Sequence, residues 1–352
     1  MIRTLRPTDV VAYLAFRNLA RQNEALEFPG DGPRALTFKS FVSRSLSFDP
    51  RRENWIEIQD GHINGVVGVK SRLGTDFWDI DQLAAAPADA ECLYISLLRH
   101  LSRAALEEGV QKIFLRTALD GVSVAAAKQA GFFQYSVERI FRLPSAQASP
   151  KETVSPFNPL RNEDTSGEIL PQLRPRRRFD HHAIFQLYCS VVPVSVRQIE
   201  GMTMQEWRWT EGWGMQLPNW KVNLPRFRRD FVLENHDVLS SPMSQGGSIH
   251  YSRGNVAELS AWLQVKRRTR SSILMLRPED AAAAADIVKF AMAQFSEVGP
   301  IHVPVRDYQA FLEPALRQAG FEFVAEHALL AKTLTIRVAE PKIVPIRAQV
   351  TR

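Results

Sequence analysis

Residues 125–134 read AAAKQAGFFQ and residues 314–323 read PALRQAGFEF, so the tetrapeptide Gln-Ala-Gly-Phe occurs twice, 189 positions apart. In both places it follows a helix-forming run and precedes a run rich in aromatic and apolar side chains. This pattern predicts a helix that ends at a left-handed glycine, Gly131 or Gly320, and continues into a strand. The repeated junction decides how the rest of the chain is divided.

Two further short motifs recur in the same order as the junction. Leu-Arg-Pro stands at residues 5–7 and 173–175, and Pro-x-Asp-Ala stands at 87–90 and 278–281. The second motif precedes Gln-Ala-Gly-Phe by 42 residues in one copy and by 40 in the other. Three motifs in one order and at similar spacing indicate an internal duplication. The predicted parts are an N-terminal domain, a Pro- and Ser-rich linker, a C-terminal domain and a tail, at residues 1–143, 144–170, 171–339 and 340–352.

Each copy repeats one order of predicted elements. A first helix is followed by antiparallel strands, then by strand, helix, strand and helix, and then by closing strands. In the first copy, Asp60 and Gly61 interrupt two alternating apolar runs and predict a tight hairpin turn. The order predicts the α/β class, with an α+β type of mixed sheet that contains parallel and antiparallel strands and is flanked by helices.

This pattern resembles the GNAT family of acyl-CoA N-acyltransferases. The matching residues are LRPTD before the first helix, the helix ends at 127–132 and 316–321, and the strand after each end. The resemblance covers both halves, so it implies two GNAT domains in tandem, packed as an intramolecular pseudo-dimer. It also implies acetyl-CoA or another acyl-CoA as cofactor and a small-molecule amine as acceptor.

The family holds the CoA pyrophosphate on backbone N–H groups of a glycine-bearing loop at the start of the long helix. Here the two loops, residues 83–93 and 274–284, contain no glycine. Asp89 and Asp280 stand where a helix N-cap is expected, and a carboxylate there would satisfy the N–H groups and repel a pyrophosphate. CoA binding through other amides and a site closed by these caps both remain open.

If the second copy binds CoA, the resemblance implies that pantetheine lies along the strand before the long helix, with Arg277 on a phosphate. The candidate cofactor-binding residues are Leu274, Met275, Leu276, Arg277, Asp280 and Ala281. Basic residues near this strand would support an anion, or else form a solvated turn. They are Lys266, Arg267, Arg268 and Arg270.

The catalytic residues stay unassigned. The general acid of the family is a tyrosine about four residues before the helix-ending glycine, and these positions hold Ala127 and Leu316, which cannot donate a proton. Tyr308 lies at the start of the second of these helices, too far upstream for that role by sequence.

Three acidic residues are candidates for a general base. Asp79 and Asp81 are two positions apart, so a strand would place them on one face as a base and its helper or as a solvent-facing pair. Glu258 is the candidate of the second copy.

The front of the second copy carries four of the seven tryptophans, Trp207, Trp209, Trp213 and Trp220. In the family, the segment after the first helix contributes to the acceptor site. Trp207, Trp209 and Trp213 are therefore candidate walls of an acceptor pocket. The alternative is an aromatic cover over the sheet or an interdomain contact.

Composition excludes several other function classes. A net charge of +6 accompanies three arginine-rich clusters without interleaved stacking aromatics, so nucleic-acid binding is not expected. Cys92 and Cys189 form no disulfide or metal pattern, and Asp180-His181-His182 lacks partner ligands, so no metal site is expected. Without an apolar run of membrane-spanning length, a cytoplasmic protein is expected.

Two functions remain. The first is an N-acyltransferase with degenerate CoA loops, and the second is a non-catalytic GNAT-like protein that binds a ligand or a partner. Only the arrangement around the long helices can separate them.

Overall fold

The computed structural model describes eleven parts of the chain. They are residues 1–20, 22–26, 36, 41, 51–72, 76–144, 173–202, 204, 228–234, 258–295 and 299–335. Nearly all of the predicted linker, the tail and the candidate acceptor walls Trp207, Trp209 and Trp213, with Trp220, lie outside the described residues.

Twelve strands form one mixed sheet. The strands are β1 Ile2–Thr4, β2 Arg52–Gln59, β3 His62–Ser71, β4 Phe77–Ala85, β5 Lys112–Ala118, β6 Phe133–Leu143, β7 Arg174–Pro175, β8 Arg228–Glu234, β9 Leu259–Lys266, β10 Ser271–Leu276, β11 Ile301–Arg306 and β12 Glu322–Thr333. Their order across the sheet is β1-β2-β3-β4-β5-β12-β6-β11-β10-β9-β8-β7.

Seven α-helices are described, and the longest in each half packs its apolar side chains against the sheet. The helices are α1 Val10–Leu19, α2 Ala90–Glu107, α3 Val122–Gln129, α4 His181–Val191, α5 Val194–Glu200, α6 Ala284–Ala293 and α7 Glu313–Gln318. In α2, Leu97, Leu98 and Leu101 are fully buried. In α6, Ile287 and Val288 are buried against β9 and β10. The mixed sheet flanked by helices confirms the predicted fold class.

The two halves exchange their last strands at the centre of the sheet. β12 from the second half pairs with β5 of the first half, placing Leu330 opposite Leu115. β6 from the first half pairs with β11 of the second, placing Phe141 opposite Val303. Buried backbone groups must be paired, so each half depends on a strand of the other. The predicted domain boundaries stay a prediction, since each range includes a strand that completes the other half of the sheet.

Both Gln-Ala-Gly-Phe junctions end a helix in the same way. Gly131 and Gly320 each have a φ of +88°. The N–H of Phe132 donates to the carbonyl of Ala127 at 2.9 Å, and the N–H of Phe321 donates to the carbonyl of Leu316 at 3.0 Å. This six-to-one bond, with a five-to-two bond from each glycine N–H, is the Schellman motif. The predicted left-handed helix ends are confirmed.

The hairpin turn predicted at Asp60 and Gly61 is also confirmed. Both residues have positive φ, 52° and 79°, and they connect β2 to β3. A two-residue turn with both φ angles positive has the twist that suits antiparallel strands, and Asp-Gly is a preferred sequence for it. The turn sets the register in which β2 pairs with β3, and β3 in turn pairs with β4.

The prediction that the side chains of Asp89 and Asp280 cap the following helices is wrong. Neither carboxylate accepts a cap hydrogen bond from the helix that follows. Pro87 and Pro278 each begin a 3-10 turn first, which ends at Asp89 in one half and at Ala283 in the other. Proline at the first position of such a turn starts the helical path early, so each aspartate lies inside or at the end of the turn.

Candidate functional site

In both halves, the two parallel central strands begin together and then diverge. β4 and β5 pair at three positions, the last of which joins Asp79 and Phe114. β10 and β11 pair at one position, Ser271 with His302. Beyond these pairs, the described parts of the two strands no longer bond to each other. Both halves therefore have the splayed strands where the family resemblance places pantetheine.

In the first half, the chain itself crosses this gap. The N–H of Glu24 donates to the carbonyl of Leu83 on β4 at 2.8 Å. The N–H of Leu26 donates to the carbonyl of Arg116 on β5 at 2.9 Å. Residues 22–26, which we name the crossing segment, thus bond to both diverging strands.

The side chain of Asn23 holds the crossing segment in place. Its Oδ1 accepts a hydrogen bond from the N–H of Leu83 at 2.7 Å, and its Nδ2 donates to the carbonyl of Asp81 at 3.0 Å. Ala25 and Leu26 of the segment are buried. An extended ligand would need the same backbone groups of β4, so the first half does not fit pantetheine in this conformation.

Beside the crossing segment, the gap widens into a cavity of about 300 Å³. Its charged and polar lining residues are Lys70, Arg72, Asp79, Asp81, Arg116 and Tyr135, and its apolar ones are Leu26, Ile80, Phe114, Leu115 and Leu329. This is a mixed lining, with apolar walls and a few convergent charged groups, of the kind that small-molecule sites have.

The two candidate bases of the first half both lie in this cavity, and each is held by an arginine. Arg72 donates to Asp79 through two nitrogens, at 2.7 and 2.8 Å, and its guanidinium lies 4.2 Å from the ring centre of Phe114. Arg52 donates to Asp81 at 2.7 Å. Asp81 is only 5% exposed, so the solvent-facing alternative is wrong for this residue. Both carboxylates are therefore held in ion pairs with arginines of the first half.

A charged cluster, which we name the central cluster, lies where the exchanged strands meet. Glu138 of β6 is 3% exposed and lies 3.3 Å from Arg116, 3.2 Å from Arg306 and 3.9 Å from the Nδ1 of His327. Burial opposes ionisation of Glu138, but Arg116, His327 and Arg306 outweigh it and lower its pKa to about 2. Glu138 and His327 each follow the helix-ending glycine by seven positions, so equivalent residues of the two copies face each other.

The second half has an acid and two phenols beside its diverging strands. Glu200, at the end of α5, accepts a hydrogen bond from the hydroxyl of Tyr188 on α4 at 3.0 Å and lies 3.4 Å from Arg306. Tyr188 and Tyr308 pack in the cluster that contains Met275 of β10. Burial, and then the charge of Glu200, raises the pKa of Tyr188. Burial also raises the pKa of Tyr308, so both phenols keep their protons.

The structure divides the predicted cofactor-binding residues between the core and the surface. Leu274 and Leu276 are buried under α6, so only their backbone can face a ligand, whereas Met275 points to the α4 side. Arg277 is ion-paired with Glu258, the candidate base of the second half. The last two candidates, Asp280 and Ala281, are half-buried in the 3-10 turn Pro278–Ala283, and their part in CoA binding stays a prediction.

The two positions at which the family resemblance expects a helix tyrosine lie in the apolar core. Ala127 is fully buried and Leu316 is 1% exposed, both in the apolar core. In the described parts of the chain, no group of three or more His, Cys, Asp or Glu side chains has the arrangement to hold a metal ion. No helix in those parts is long and apolar enough to cross a membrane.

Comparison with known proteins identifies the fold. No family model matches the sequence, and no curated protein sequence matches it. A GCN5-related N-acetyltransferase from Sphaerobacter thermophilus superposes with a TM-score of 0.53 at 13% identity, over 95% of both chains. A tandem GNAT protein from the clavulanic acid biosynthesis pathway matches with a TM-score of 0.49 at 13% identity, over 95% of this chain and 98% of that one.

The chain has the tandem GNAT fold. The structural superposition establishes the architecture, and a sequence identity of 13% leaves substrate and activity open. The crossing segment fills the gap between the diverging strands of the first half. The corresponding gap of the second half borders Glu200, Tyr188 and Tyr308.

Sequence reasoning missed Glu200 and Tyr188, since nothing in their spacing of twelve residues on separate helices indicates a contact. It also missed the central cluster, whose members come from four different strands. Only the internal repeat offered a signal, because it places Glu138 and His327 at equivalent positions.

Proposed function

We propose that the chain is an acyltransferase that moves an acyl group from acyl-CoA to an amine, at one site in the second half. The observation that carries the proposal is the contact between Glu200 and Tyr188 beside strands that diverge after a single pair. The closed gap of the first half supports a single site, because the crossing segment already uses the backbone groups of Leu83 and Arg116.

Acyl-CoA supplies an activated carbonyl carbon that an amine can attack directly. The carboxylate of Glu200 is the group placed to take the proton that the amine loses, and Tyr188 orients it through the hydrogen bond to Oε2. Burial raises the pKa of Tyr308 and keeps its hydroxyl protonated, so it can donate a hydrogen bond to the sulfur as the carbon–sulfur bond breaks, and the thiolate then takes a proton from water. Tyr308 would in this way take the place of the tyrosine that the helix lacks at Leu316.

The acceptor pocket of this proposal includes residues beyond α5. Trp207, Trp209 and Trp213 follow the end of that helix within about a dozen positions, so they remain our candidates for the walls around the amine. Aromatic walls beside a carboxylate suit a cationic or aromatic amine.

A specific observation favours a second candidate function. The 3-10 turn before α6 carries Glu279 and Asp280 in its first turn, and their charge disfavours a pyrophosphate there. The alternative is therefore a non-catalytic protein that uses the same fold to bind a ligand or a partner.

Calorimetric titration with acetyl-CoA, followed by detection of released thiol with a panel of amines, tests the proposal. We expect one acetyl-CoA per chain and turnover that falls by about 100-fold in Glu200→Gln and in Tyr308→Phe, with less effect on binding. Tyr94→Phe is the matched control, because this buried tyrosine lies in the closed first half, and it should leave turnover unchanged. No binding and no turnover would favour the non-catalytic alternative, and two molecules bound per chain would contradict the single site.

A further inference from the structure

We infer that the first-half cavity is a binding site for a small carboxylate with an apolar or aromatic body, separate from any acyl-CoA site. The inference goes beyond the proposed function, because it concerns the half whose pantetheine gap is closed. The volume of the cavity, about 300 Å³, lies at the lower end of the range for small-molecule sites.

The charges around the cavity favour an anionic ligand. The cations of the lining, Lys70, Arg72 and Arg116, outnumber its carboxylates, Asp79 and Asp81, which bind Arg72 and Arg52. The counter-charge of Arg116 is Glu138, which does not line the cavity and is shared with Arg306 and His327. An anionic group gains from this excess, while a second cation would meet repulsion.

Arg116 has hydrogen-bonding capacity to spare. Its Nε is buried, and within the described residues it makes no hydrogen bond, although it lies 3.3 Å from Glu138. Glu138 in turn is shared with Arg306 and His327. A guanidinium has five N–H donors in a fork that matches a carboxylate. Because the Nε faces Glu138, a ligand in the cavity would bind to the terminal nitrogens of the guanidinium, to which the described residues offer no hydrogen bond.

The remaining lining residues favour an apolar or aromatic group on the ligand. Ile80, Phe114 and Leu329 give apolar walls, and Phe114 already carries the guanidinium of Arg72 on one face. Tyr135 keeps its proton, because burial raises the pKa of its phenol, and it offers one hydroxyl to a polar atom of the ligand. A bare inorganic anion would leave these walls uncovered, so a carboxylate on an apolar or aromatic body fits the cavity better.

Titration of the full-length protein with benzoate, in the absence of CoA, tests the inference. Benzamide has the same shape without the charge, and acetate has the charge without the ring. We expect benzoate to bind at least about tenfold more tightly than either, since each probe loses one of the two contacts. Equal binding of benzoate and benzamide, or no benzoate binding up to about 10 mM, would overturn the inference.

Two arginine variants identify the site. Arg116 and Arg306 both ion-pair with Glu138, but only Arg116 lines the cavity. Arg116→Lys should weaken benzoate binding by about tenfold or more, and Arg306→Lys should change it by less than about threefold. Ile80→Trp, which fills the cavity, should abolish benzoate binding while the folded state is verified by urea unfolding. Retention of benzoate binding in Arg116→Lys and Ile80→Trp would show that the cavity is not the site. Acetyl-CoA stoichiometry, measured on the same variants, reports separately on the proposed function.

Discussion

Substitution of Glu138 by glutamine is the most direct perturbation of the central cluster. The change keeps the size of the side chain and removes the negative charge between Arg116 and Arg306, which lie 3.3 and 3.2 Å away. Two cations then face each other across a buried, uncharged amide. Removal of one partner of a buried ion pair leaves the other charge uncompensated, and this is strongly destabilising.

The magnitude follows from the pKa of Glu138. It falls from an ordinary value of 4.5 to about 2 in the folded protein. Since one pKa unit corresponds to about 1.4 kcal/mol, ionised Glu138 contributes about 3 kcal/mol to the free energy of unfolding near pH 7. Loss of a buried partner typically costs about 3 to 5 kcal/mol, which agrees with this figure.

The pH dependence has a definite sign. A carboxyl whose pKa is lowered by folding stabilises the protein above its ordinary pKa, and this contribution is lost as the pH falls from about 4.5 towards 2. The wild type should therefore lose about 3 kcal/mol over this range from Glu138 alone. Glu138→Gln lacks that contribution at every pH.

Urea unfolding of the wild type and Glu138→Gln, followed by tryptophan fluorescence at several pH values from 7 to 3, measures the effect. The difference in unfolding free energy should be about 3 kcal/mol at pH 7 and should shrink as the pH approaches 2. Glu326→Gln is the control, because its ion pair with Arg139 is partly exposed at 3.0 Å and should matter by less than about 1 kcal/mol. A Glu138→Gln variant within about 1 kcal/mol of the wild type, or a difference that does not change with pH, would refute the reasoning.

Three further predictions test the fold. Gly131→Ala and Gly320→Ala should each cost about 1 to 2 kcal/mol in urea unfolding, because a φ of +88° strains any side chain; a neutral result would contradict the left-handed helix ends. A chain that stops at residue 319 lacks β12, the strand that pairs with β5 and β6. Near-ultraviolet circular dichroism of this chain should show loss of fixed side-chain packing and no cooperative unfolding transition. A native-like transition would argue against the strand exchange. Asn23→Ala should cost roughly 2 kcal/mol and leave acetyl-CoA stoichiometry at one, since its bonds only hold the crossing segment; a second bound equivalent would mean that the first half can open.

The sequence by itself determined the features that depend on neighbouring residues. The two Gln-Ala-Gly-Phe junctions specify Schellman motifs, because every hydrogen bond of that motif lies within six consecutive residues. Asp60 and Gly61 specify a hairpin for the same reason. The repeated order of these local signals was enough to predict a duplicated α/β fold.

The N-cap prediction failed for a reason that is itself local. Asp89 and Asp280 have the composition of a cap, but the prolines two positions earlier start a 3-10 turn ahead of the helix. Two local signals compete there, and the restricted φ of proline prevails over the preference of aspartate for a cap.

Only the tertiary structure decided where the chemistry lies. The exchange of β6 and β12, the crossing segment held by Asn23 and the contact of Glu200 with Tyr188 all join residues that are distant in the chain or lie on different elements. Glu138 obtains its low pKa from cations on β5 and β11, strands that precede and follow it by many residues. Such contacts depend on how strands are ordered across the sheet, and that order is set by the packing of the whole chain.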